Sequence, residues 1–171
     1  EVIIAKIQSK MTSNNILIKK IKSDEKKITR KAYYNFSKRI KKIREDLVSF
    51  VNNNYPITGY GASTKGNIVL NYSKLSSHKI NYICDASKQK FGKYTPGSNI
   101  KIISKEKMRT LRPKYILVLI WSFRSEVIKE ELDYIKKGGN LIFHLPKFHV
   151  INKKNYRNFI NKDFKNFSYK Y

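Results

Sequence analysis

Tyr115-Ile116-Leu117-Val118-Leu119-Ile120-Trp121 is an unbroken apolar run, too short for a membrane span and lacking the polar alternation of a half-solvated strand. A strand covered on both faces reads this way, so the stretch predicts an interior strand of a parallel sheet. Comparable segments flank it: Ile57 to Tyr60, Ile80 to Cys84 and Ile100 to Ile103 before it, and Asn140 to Leu145 after Gly139. Helix-like or loop segments separate them. After Trp121, Ser122 is placed to cap a helix that carries Glu126, Glu130 and Glu131 early and Lys136-Lys137-Gly138 late. That charge order complements the helix dipole and ends on a glycine stop. Strands alternating with helices predict an α/β fold, a Rossmann-like, mostly parallel sheet flanked by helices.

Upstream, Tyr33, Phe36, Ile40, Ile43, Leu47 and Phe50 recur at spacings of three and four, which predicts one face of a helix from Lys26 to Val51. Asn52-Asn53-Asn54-Tyr55-Pro56 supplies its end. Val2 to Ile7 reads as a short strand and polar Ser9 to Asn15 as a turn. Past Pro146 the chain becomes aromatic and basic without a clear period, so Lys147 to Tyr171 reads as a tail or a helix packed on the domain. The expected organisation is therefore an N-terminal strand and long helix over residues 1–52, part of the same domain; a Rossmann-like core over 53–148; and a basic, aromatic tail over 149–171. The chain opens on Glu1 rather than Met, from which we expect a processed or excised piece of a longer polypeptide.

The 171 residues suffice for one core, and 40% hydrophobic with 13% aromatic content is globular rather than disordered composition. A net charge of +25 suggests a polyanionic partner. Lysines run from Lys6 to Lys170 without a dense block, and Asn and Ile are abundant with them, so we read the charge as compositional background before a nucleic-acid footprint. The lone Cys84 excludes an intrachain disulfide, and His78, His144 and His149 lack metal-ligand spacing, which predicts a metal-free, cytoplasmic protein. No apolar run reaches the roughly 20 residues of a membrane helix.

The stretch most suited to ligand chemistry is Ile57-Thr58-Gly59-Tyr60-Gly61-Ala62-Ser63-Thr64-Lys65-Gly66-Asn67, where a strand should pass into a helix beginning near Thr64. Small residues there let backbone N–H groups approach an anion, and Lys65 adds a charge. The dinucleotide fingerprint would place a third glycine at Thr64, and a Walker A loop would place Lys and Ser or Thr where Asn67 and Ile68 stand, so neither motif is complete. A tight strand-to-helix turn is the competing explanation of these glycines. Asp85, at the end of the next strand, suits either a sugar hydroxyl pair or a structural cap. Lys93, Tyr94 and Thr95 lie in a glycine- and proline-marked loop that offers an aromatic, a cation and a hydroxyl. Trp121 and Ser122 follow the interior strand where the crevice of an open α/β sheet forms, although Trp121 and Phe123 equally suit the core. No catalytic constellation emerges: the three histidines lack a paired nucleophile or carboxylate, and Cys84 lies in an apolar strand as an inert thiol.

Read together, four blocks resemble the C-terminal domain of S-adenosylmethionine-dependent sugar C-methyltransferases, which act on nucleotide-linked deoxysugars. They are Gly59-Tyr60-Gly61-Ala62 with Lys65-Gly66-Asn67 and Leu70-Asn71-Tyr72; Asp85 with Gly92-Lys93-Tyr94-Thr95-Pro96-Gly97; Pro113-Lys114-Tyr115 through Trp121; and Gly138-Gly139 through Pro146. The resemblance covers about Tyr33 to Pro146. It implies a Rossmann-like domain that helps to anchor a nucleotide-linked sugar for a methyltransferase domain in cis or in trans. That other domain would hold S-adenosylmethionine and the catalytic acid/base residues, and nothing here matches them, so this chain alone should be catalytically incomplete and bind no cofactor itself. The expected roles are backbone donation from Gly61, Ala62 and Ser63 to the diphosphate, charge compensation by Lys65 or Lys93, and sugar or base contacts from Asn67, Asp85 and Tyr94. Departures from the family pattern at Ile68, Ala86-Ser87 and Lys147 leave the sugar open. Two other classes compete: a basic nucleic-acid-binding domain with stacking tyrosines, and a NAD(P)-type nucleotide-binding regulatory module.

Overall fold

Six strands form one sheet in the computed structural model, in the order β3-β2-β1-β4-β5-β6. They are β1 (Ile57–Tyr60), β2 (Ile80–Asp85), β3 (Lys101–Ser104), β4 (Tyr115–Val118), β5 (Asn140–Phe143) and β6 (His149–Ile151). The structure describes residues 14–26 and 28–162. The first five strands run parallel, and β6 returns antiparallel to β5. The apolar run at Tyr115 explains its place: β4 lies between β1 and β5, with Ile116, Leu117 and Val118 fully buried. Alternate residues enter opposite layers. Ile116 and Val118 pack with Met108, Val127 and Ile128 on one face; Leu117 and Leu119 pack with Leu47, Val51 and Leu70 on the other. Each such side chain taken from water contributes about 2 kcal/mol, which favours the central position over an edge.

The helices are α1 (Asn14–Glu25), α2 (Arg30–Asn54), α3 (Thr64–Tyr72), α4 (Lys105–Leu111), α5 (Arg124–Glu130) and α6 (Leu132–Lys136). The chain divides into two compact units, one up to Arg39 and one from Ile40 onward. In the first, α1 ends before Thr29, whose hydroxyl accepts the Ala32 N–H and starts α2. In the second, the C-terminal half of α2 seals one face of the sheet through Leu47 and Val51. The asparagines at 52–54 end α2 as expected, with the Asn54 side chain bonded back to the Phe50 carbonyl.

Four differences from the sequence reading have local causes. The strand expected at Val2 to Ile7 lies outside the described residues, and of the expected turn at Ser9 to Asn15, the last two residues already belong to α1. Ser122 does not cap a helix: it sits in a 3-10 turn, Trp121–Phe123, and α5 starts one residue later without a side-chain cap. The single helix expected after it is two, divided at Glu131. Finally, the segment expected as a tail begins with the edge strand β6, too short at three residues to show a period. The glycine stop holds: Gly138, at φ 98°, closes α6 with its N–H on Ile135.

Candidate functional site

The sheet reverses direction of winding between β1 and β4, so the connections leaving their C-terminal ends diverge to opposite faces. A crevice at that point is where open α/β sheets bind ligands. The β1 connection is the glycine loop, the β4 connection is Leu119 to Phe123, and Ser63 caps α3 between them by accepting the Gly66 N–H at 3.0 Å.

Most amides expected to face a ligand are occupied. Gly61 N–H donates to the Cys84 carbonyl (2.7 Å), Ala62 N–H to Asp85 Oδ2 (2.8 Å) and Ser63 N–H to the Gly61 carbonyl (2.9 Å). The expected donation by these three to a diphosphate meets N–H groups that are already engaged: the first two hold the loop to the end of β2, and the third closes the turn on itself. The glycines also serve packing. A Cβ at Gly59 would lie 2.7 Å from Ile83, at Gly61 2.5 Å from Ile120 and at Gly66 2.8 Å from Leu119. The tight-turn explanation thus accounts for the glycines themselves. What stays open is the first turn of α3, where the N–H groups of exposed Thr64 and Lys65 have no protein partner among the described residues. In the same turn, Asn67 Oδ1 is buried without a hydrogen-bond partner among the described residues.

Asp85 takes the capping role. Its carboxylate accepts from Ala62 N–H, Ser87 N–H and the Lys90 ammonium, which leaves it poorly placed for a sugar. Lys90, which the sequence reading passed over, is the cation held at the glycine loop: its Nζ also reaches the Ala62 carbonyl at 3.0 Å. Its signal was faint, a lysine five residues past a strand-end aspartate. Thr95 is corrected as a contact residue, since it is buried and its hydroxyl is shared between Ser98 and the Ile100 N–H. Lys93 and Tyr94 are exposed beside edge strand β3, and their loop is tied to the C-terminal part of α3 by Asn71 on the Pro96 carbonyl. Nothing brings them to the first turn of α3.

Tyr60 is likewise corrected. Its ring is buried beside Met108 and Val127, and its hydroxyl donates to Glu130 at 2.8 Å; burial and this carboxylate push its pKa upward. Glu130 also accepts from Lys105 and Arg109, while buried Glu131 takes both remaining guanidinium bonds of Arg109. These groups border a cavity of about 880 Å³ reached by Arg112, Lys114 and Gly139. It opens at the N-terminal ends of β4 and β5, away from the strand ends that carry ligands in this architecture.

On the β4 side, Trp121 is half-buried and Ser122 exposed, while Phe123 is 56% exposed, so only the first of these aromatics belongs to the core. Trp121 meets His144 edge-on at 4.8 Å. His144 follows β5, is 1% exposed and has no hydrogen-bond partner at either ring nitrogen among the described residues, and burial pushes its pKa down to about 4. The sequence reading gives it no role; a polar ring in an otherwise apolar strand end is the available signal. His149 stacks between Phe143 and Phe159, and His78 is exposed. Cys84 is a buried free thiol whose pKa burial raises to about 12. Among the described residues no group of acidic, histidine or cysteine side chains could hold a metal, and no helix is long and apolar enough to cross a membrane.

The family model of the C-methyltransferase C-terminal domain matches residues 1–146. The C-methyltransferase NovU of Streptomyces niveus is 36% identical over 109 residues, which is 64% of this chain and 26% of that protein. The matched stretch thus spans about a quarter of that relative's length. With the match extending over the helices, the glycine loop and five strands, the chain belongs to the C-methyltransferase C-terminal domain family.

Proposed function

We propose that this chain is the substrate-side domain of a cytoplasmic sugar C-methyltransferase, taking a nucleotide-linked sugar at the crevice between the β1 and β4 connections. The observation that carries the reading is the pair of unpartnered first-turn amides, Thr64 and Lys65, at the winding switch of a sheet of this family. A helix N-terminus with free N–H groups favours a phosphate, and the ammonium groups of Lys65 and Lys90 add charge without a metal. Trp121 and Ser122, on the facing connection, are the groups for sugar or base, with Asn67 supplying an acceptor. S-adenosylmethionine supplies the methyl group in such a reaction. The residues here do not fit it: Asp85, the carboxylate that would take ribose hydroxyls, is engaged by two amides and Lys90. The methyl donor and the proton-transferring residues accordingly belong to a methyltransferase domain in cis or in trans, and this chain binds and orients.

Thr64→Pro tests the site with little effect on the fold. Position 64 is the first residue of α3, where proline is tolerated, and Ser63 already has the extended geometry (φ −100°, ψ 158°) that precedes proline. The variant removes one free amide and should weaken binding of TDP-, UDP- or GDP-linked hexoses about tenfold in calorimetry, the equivalent of about 1.4 kcal/mol for a charge-assisted bond. Equal affinity would remove the amide from the site. A thermal-shift panel in which NAD or an oligonucleotide stabilises the chain and no nucleotide-sugar does would overturn the reading altogether.

A further inference from the structure

The apolar stripe of α2 is one continuous helix face with two fates. Tyr33, Phe36, Ile40, Ile43 and Leu47 follow at intervals of three and four. Leu47 is fully buried against the sheet, whereas Tyr33 is 66% and Phe36 56% exposed. In α1, Leu17 is 57%, Ile18 40% and Ile21 43% exposed. Large exposed apolar side chains that recur along one side of a regular helix mark an interaction surface, since each aromatic alone carries about 150–250 Å² of burial. Both helices fall within the family match, which runs from residue 1, so they are part of this domain type.

We infer that the exposed apolar sides of α1 and of the N-terminal half of α2 dock on the methyltransferase portion of the enzyme. The inference rests on the reading proposed above. Two observations select the occupant. The stretch shared with the S. niveus enzyme is 26% of that protein, so most of the enzyme lies outside it and has to meet this domain somewhere. The charge then selects against self-association: residues 14–39 hold nine basic residues against two acidic ones in a chain of net +25, so a second copy would bring like charges together. The complementary partner has an apolar groove with an acidic rim facing Lys19, Lys22, Lys31 and Lys38, all exposed. Charge around an apolar centre sets register and partner choice, while the aromatics supply affinity.

The test keeps an enzyme whole. In the S. niveus enzyme the matching stretch, extended at both ends to the length of this chain, is exchanged for residues 1–171, and amide exchange across residues 17–36 is followed by mass spectrometry in this chimera and in the chain by itself. We expect at least tenfold slower exchange in the chimera, and Leu17→Glu combined with Phe36→Glu to restore the rate of the chain by itself. The intact S. niveus enzyme, which needs no graft, should show the same slow exchange in its segment corresponding to residues 17–36. Equal rates in chimera and chain, or fast exchange in that segment of the intact enzyme, overturn the inference. So does a dimer in sedimentation with protection of the same face, which gives the surface to a second copy. Nucleotide-sugar binding measured alongside separates the two ideas: binding without protection removes this inference alone, and protection without binding removes only the reading of the crevice.

Discussion

Lowering the pH from 7 to 4 should cost this fold about 3 kcal/mol through His144 alone. The ring is 1% exposed, neither nitrogen has a hydrogen-bond partner, and burial lowers its pKa from 6.5 to about 4. In the unfolded chain the same imidazole takes its proton near 6.5. Between the two values the unfolded state binds more protons than the folded one, so the contribution is complete above pH 6.5, falls as the pH drops, and is exhausted below 4. The difference of about 2.5 units, at about 1.4 kcal/mol per unit, gives the figure. Neighbouring His149 adds to the same slope, because burial chiefly, with Arg124 and Lys147, lowers its pKa too. Glu130, whose carboxyl Lys105, Tyr60 and Arg109 hold below the usual range against the effect of burial, adds a loss of the same sign as the unfolded carboxyl takes its proton near 4.5, so the interval from pH 7.0 to 5.5 is the one that reports the histidines. Urea unfolding at pH 7.0, 5.5 and 4.5, followed by circular dichroism with the slope m held common, measures the effect. His144→Gln should remove most of the decline. A wild-type stability unchanged between pH 7 and 4.5, or a variant that declines as steeply, would refute the reasoning. Against the 5–15 kcal/mol (roughly) of a typical domain the loss is large enough to see.

Two further perturbations test the framework of the domain. Arg109→Met leaves the buried Glu131 carboxylate, 1% exposed, without the two bonds the guanidinium gives it, and should lower unfolding stability by about 3 kcal/mol; Glu131→Gln in that background should recover part of it, and additive losses in the double-mutant cycle would count against a coupled pair. Gly61→Ala puts a Cβ at φ 90° and 2.5 Å from Ile120 Cγ2, for a cost of about 3 kcal/mol, so any loss of ligand binding should come with a lower Tm; a variant with unchanged Tm would show that the turn has room to relax.

The parts of this fold that the sequence made legible are those where one physical requirement dominates. Leu117 and Val118 need cover on both faces, which announces β4 as interior; Gly61 needs a positive φ and a close approach to Ile120, which announces the turn after β1. Illegible were the places where a residue's partner is remote in sequence. Asp85 reads equally as a sugar ligand and as a cap until Ala62 and Ser87 donate to it, and Tyr60, at the end of its strand, reads as a ligand contact until its hydroxyl finds Glu130, seventy positions on. The family resemblance identified the domain correctly, yet the role attached to the Gly61, Ala62 and Ser63 amides did not follow from it, because small residues permit a ligand's approach and equally permit the backbone to bond itself. Only unoccupied donors separate those cases. By that criterion the ligand-facing part of the loop shifts one step along the chain, from the glycines to the first turn of α3, where Thr64 and Lys65 keep N–H groups that helix geometry itself leaves without a partner.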